Sequence, residues 1–104
     1  MLTKNAQAQD ARIWTNDDEI VYAEICGRNY VQLTSPDAAP TFLSLLVGAL
    51  EGRNSNDEFT DVKINISHIQ RLTRSRINIT LDAAWKHSGE SYTNEHMTAV
   101  FVAQ

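Results

Sequence analysis

The chain has 104 residues, 42% of them hydrophobic and 21% charged, with a formal net charge of -4. That is ordinary globular usage for one domain, and it excludes a disordered tail, a collagen-like fibre and, with Cys26 as the single cysteine, an internally bridged disulfide scaffold. No run reaches the roughly 18 apolar residues of a membrane helix, and the opening MLTKNAQAQDAR lacks the apolar stretch of a secretory signal.

Residues 1–10 are polar and aperiodic, which predicts a frayed N-terminal arm before a single domain over residues 11–104. Residues 11–15 predict a short strand that ends at the turn Asn16-Asp17-Asp18. Residues 19–26, rich in Ile, Val and Tyr, and residues 29–34 predict the two arms of a β-hairpin. The break between them is Gly27-Arg28, where the glycine can take a positive φ. Cys26 closes the apolar run IVYAEIC, which predicts a buried small hydrophobe. A lone thiol and no secretory signal predict a reducing, cytoplasmic setting.

The period then changes. Phe42, Leu45, Leu46, Ala49 and Leu50 are spaced as one face of a helix over residues 40–50. Pro40 suits its first turn and Gly52 its stop. The other face carries little charge, so the helix is expected to be largely buried across the concave face of a sheet. Residues 53–61, RNSNDEFTD, read as a polar loop.

After it, Val62, Ile64 and Ile66 alternate with polar residues, as do Ile77, Ile79, Leu81, Ala83 and Trp85. A turn centred on Thr73-Arg74 sets Ile66 opposite Leu81 and Ile64 opposite Ala83, so the apolar sets coincide. That register puts His68 on the dry face and Ile69 on the wet one, a conflict that predicts a bulge near His68-Ile69. Residues 86–95 read as a second polar loop, and residues 97–103 as a closing strand. The order β-β-(β)-α-β-β-β predicts an α+β domain, with an antiparallel sheet of about five or six strands packed on one central helix.

Catalytic signals are sparse. No nucleophile elbow, phosphate loop or nucleotide fingerprint occurs, and His68, His87 and His96 lack metal-ligand spacing. The register places His68 and Asp82 on opposite sheet faces, which argues against a dyad. No cofactor and no metal are expected.

Charge is the more informative signal. Residues 1–61 balance to -6 and residues 62–104 to +2. Arg71, Arg74 and Arg76 sit on one hairpin tip, where guanidinium groups can meet carboxylates or phosphates. Asp17, Asp18 and Glu19 form a patch of opposite sign. A small non-enzymatic domain that binds another protein through these patches is the leading expectation. Self-association through an exposed sheet edge is a further one. A nucleic-acid binder using the 71–76 tip is an alternative, although RLTRSR holds no aromatic for base stacking. A second alternative is a small-molecule binder or small enzyme with a helix–sheet pocket lined by Tyr22, Tyr30, His68 and Trp85.

Overall fold

Alternation of apolar and polar side chains builds six strands, and one apolar segment builds a helix. The computed structural model describes residues 11–35, 37, 41–52 and 58–104. The predicted arm at 1–10, Pro40 and most of the predicted loop at 53–61 therefore lie outside the described residues. The elements are β1 (Ala11–Thr15), β2 (Val21–Ile25), β3 (Arg28–Gln32), α1 (Phe42–Leu50), β4 (Phe59–Arg71), β5 (Arg76–His87) and β6 (Tyr92–Ala103).

All neighbouring strands are antiparallel, in the sheet order β1-β2-β3-β6-β5-β4. Two three-stranded meanders are thus joined through β3 and β6. The outermost strands, β1 and β4, both pack on α1, which also touches β2. The sheet therefore curls around the helix into a nearly barrel-shaped body. The α+β expectation holds in outline, but the sheet dominates and the helix spans only 9 residues.

The core lies inside the curl. Ile13, Val21, Leu46, Val47, Ile66, Ile79, Leu81 and Phe101 are its largest fully buried side chains. Each stabilises the fold by roughly 1.5–3 kcal/mol relative to exposure. β1, β3 and β5 finish at one end of the body, called the upper end below; β2, β4 and β6 finish at the lower end.

Local chemistry explains the turns. Ile25 pairs with Arg28, so the β2–β3 connection has two central residues, Cys26 at φ 51 and Gly27 at φ 83. Two positive φ values make a type I′ turn, whose twist matches the strands it joins. The turn centre is therefore Cys26-Gly27, and Cys26 is exposed, contrary to the buried position its apolar run predicts. A residue at the tip of a two-residue hairpin loop points away from both strands, whatever precedes it.

The helix begins where Thr41 caps it. Its side chain accepts from Ser44 N–H, and Ser44 Oγ accepts from Thr41 N–H in return. Gly52, at φ 79, follows the end and donates to Ala49 O, as its predicted role as a stop requires. The buried face is Leu43, Ser44, Leu46, Val47 and Gly48, whereas Phe42 and Leu45 are 43% and 39% exposed. The core-facing side is thus rotated from the predicted one. FLSLLVGAL is apolar nearly all round, so spacing alone cannot choose a face.

The 4–5 hairpin keeps the predicted register at Ile66↔Leu81 and Ile64↔Ala83. Between Ile66 and His68 the register shifts, leaving Ser67 as the extra residue. That bulge turns His68 outward, opposite Thr80, and brings Ile69 against the core. A second shift lies between Thr60 and Lys63, where Asp61 takes φ 52. The second predicted loop is mostly strand. β5 runs to His87 and β6 starts at Tyr92, with Ser88 and Gly89 in positive φ between them. Lys63 and Lys86 each place an ammonium 5.2 Å from the Tyr92 ring, which anchors this end of the ribbon.

Candidate functional site

The lower end of the molecule is built from two hairpin tips. Thr73 Oγ1 accepts from Ser75 N–H and Arg76 N–H, and Leu72 and Thr73 N–H both donate to Arg76 O. These bonds fix the β4–β5 tip without using any arginine side chain. Arg71, Arg74 and Arg76 are exposed there. The β2–β3 tip ends beside them, because Ala103 N–H donates to Ser75 O and Gln104 N–H to Asn29 O.

This juxtaposition adds a fourth arginine. Arg28 Nη1 donates to Arg74 O at 3.1 Å, and Arg71 Nη1 reaches the same carbonyl at 3.5 Å. The Arg28 guanidinium also lies 5.5 Å from the Tyr30 ring centroid. Among the described residues, none of these four arginines is in an ion pair; the pairs seen are Arg12–Glu24, Lys86–Asp61 and His96–Asp82. Leu72, 45% exposed, lies in sequence among the tip's arginines. The surface presents planar, fully charged forks around an apolar side chain, chemistry suited to carboxylates. Arg28 is the site residue that sequence reasoning misses. It lies in the acidic half of the chain, and only the β3–β6 pairing brings it to the tip.

The acidic patch sits at the other end. Asn16 Oδ1 accepts from Asp18 N–H and Ile20 N–H, which shapes the β1–β2 connection at the upper end. Asp17, Asp18 and Glu19 are exposed on it, Glu19 at φ 61. The two predicted patches are therefore not brought together.

The predicted pocket residues separate too. Tyr30 and Trp85 are buried in the core. Tyr22 points outward from β2 and stacks on Trp14 at 5.9 Å, and His68 is exposed on the outer face. These four do not line one cavity. A cleft between helix and sheet does exist, of about 220 Å³, lined by Gln32, Thr41, Phe42, Leu43 and the β6 residues Glu95, Met97, Thr98 and Ala99.

The histidines are dispersed. Asp82 and His68 share the outer face, because the Ser67 bulge turned His68 over; the partner that meets Asp82 is instead His96, directly across on β6. His87 stacks edge-on against Phe59. Among the described residues, no three of His, Cys, Asp and Glu gather closely enough to hold a metal ion, and no helix is long and apolar enough to cross a membrane. Comparison with family models, with curated proteins and with solved structures finds no match to this chain.

Proposed function

We propose that this chain is a non-enzymatic interaction domain that presents its arginine tip to an acidic surface on a partner protein. The observation that carries this reading is the convergence of Arg28 with Arg71, Arg74 and Arg76, none of them in an ion pair among the described residues. Like charges gathered this way repel one another, and a partner that brings carboxylates relieves that repulsion. An apolar side chain beside such a cluster is the usual make-up of a protein contact. Asp17, Asp18 and Glu19, at the far end, supply a second contact of opposite sign.

A protein partner fits better than a nucleic acid. Stacking on bases needs exposed rings. Tyr30, the ring under Arg28, is only 4% exposed, and Tyr92 belongs to the upper end of β6. The chain as a whole is also acidic, at -4.

The test is affinity capture from the native cell, with and without nuclease, using the double variant Arg74→Glu/Arg76→Glu. The reading expects a captured protein that the double variant loses, while stability changes by no more than about 0.5 kcal/mol, as exposed substitutions do. Unchanged capture would remove these arginines from the contact. Capture abolished by nuclease, or falling steeply with salt, would move the reading to nucleic acid.

A further inference from the structure

Among the described residues, the upper part of β6 has a strand on one side only. β3 pairs only with Phe101, Val102 and Ala103, and Leu33 N–H donates to Val100 O just above them. Higher up, residues 92–99 pair with β5 alone among the described residues. Strand alternation tells which backbone groups face the open side. Val100 and Gln104 bond toward β3, while Ala103 bonds toward the β5 side, to Ser75 O. Even-numbered residues therefore direct N–H and C=O away from β5, and those of Asn94, His96 and Thr98 face the gap.

The 220 Å³ cleft opens along that same edge, between β6 and the first turn of α1. Phe42, Leu43, Met97 and Ala99 make its walls apolar, and Glu95 stands on the same face of β6 as Met97. The volume is below the ~300 Å³ at which pockets begin to enclose whole small molecules, so it suits a side chain rather than a free ligand. Glu95 is exposed and, among the described residues, in no ion pair.

We propose that the upper half of β6 takes up an added β-strand, an extended peptide segment of a partner protein. One apolar side chain of that segment fills the cleft, and a lysine or arginine two residues away faces Glu95. Main-chain bonds to Asn94, His96 and Thr98 supply the affinity, and the alternating side chains supply the selectivity. The surface is at the opposite end of β6 from the arginine tip and does not depend on it.

The probe is a capped heptapeptide, Thr-Thr-Leu-Thr-Lys-Thr-Thr, with a twin carrying Glu for Lys. Each is titrated into the isotope-labelled full chain while backbone amides are followed by NMR. The lysine peptide should shift the amides of Asn94, His96 and Thr98, and bind at least about tenfold tighter than its twin. Glu95→Lys should reverse that order. His96→Pro removes one N–H on the open side and none on the β5 side, a place where an edge strand tolerates proline. It should abolish the shifts while core amides stay dispersed; should it unfold the chain, the Glu95→Lys reversal decides alone. The proposal is overturned if neither peptide shifts these amides at about 1 mM, or if the shifts persist in folded His96→Pro. It is equally overturned if the same amides broaden with protein concentration without peptide, which would give the edge to a second copy.

Discussion

Asn16 shows how much one side chain fixes. Its Oδ1 holds the N–H groups of Asp18 and Ile20, and its Nδ2 donates to the Tyr22 hydroxyl at 3.2 Å. Water can replace the exposed Asp18 bond but replaces the half-buried Ile20 bond poorly. Asn16→Ala should therefore cost about 1–2 kcal/mol in urea unfolding; a midpoint equal to that of the unaltered chain would show that the turn holds itself. Thr41→Ala, which removes the helix cap, should cost about 1 kcal/mol by the same measurement. The turn at Asn16 is legible in the sequence, whereas the cap is not, because the spacing starts the helix at Pro40, ahead of Thr41. Arg28 is not. Nothing local distinguishes an arginine after Cys-Gly from any other, and its meeting with Arg74 depends on pairing 46 residues away.

Among the elements, the helix and the bulge test the packing most sharply. Leu46 is fully buried against the curl and Leu45 is 39% exposed. Leu46→Ala should cost about 2–5 kcal/mol, and Leu45→Ala far less. Equal losses would mean that α1 is rotated from the orientation described. Deleting Ser67 would remove the extra residue and leave His68 opposite Thr80 and Ile69 opposite Ile79, facing as before, so it should cost no more than about 1 kcal/mol, for the lost bond from Ser67 Oγ to Thr80 O. A loss of about 2 kcal/mol or more in urea unfolding, the mark of Ile69 sent outward, would contradict the assigned register. The bulge was readable because two alternations disagreed about His68 and Ile69. The helix face was not, because leucines on every side leave no polar stripe to set the phase. The length of the last ribbon was hidden for a related reason. Residues 86–95 are polar because β6 is exposed on both faces at its start, and polarity in sequence looks the same in a solvated strand as in a loop.

At the scale of the whole molecule, strand count and direction were accessible from alternation, but the joining of the two meanders through β3 and β6 was not. Short strands such as β3, with Tyr30 as its one buried side chain, carry too little pattern to name a neighbour. That junction decides the function proposed here. It puts both lower hairpin tips side by side, gathers four arginines at one end and leaves the acidic turn at the other. The most direct measurement is a double-mutant cycle on captured partner, comparing Arg28→Glu, Arg74→Glu/Arg76→Glu and all three changes together. If the tips act as one site, Arg28→Glu alone loses the same protein by about tenfold or more, the triple variant loses less than the separate effects predict, and melting is unchanged. Full recovery of the partner by a folded Arg28→Glu chain would contradict a site shared between the two hairpins.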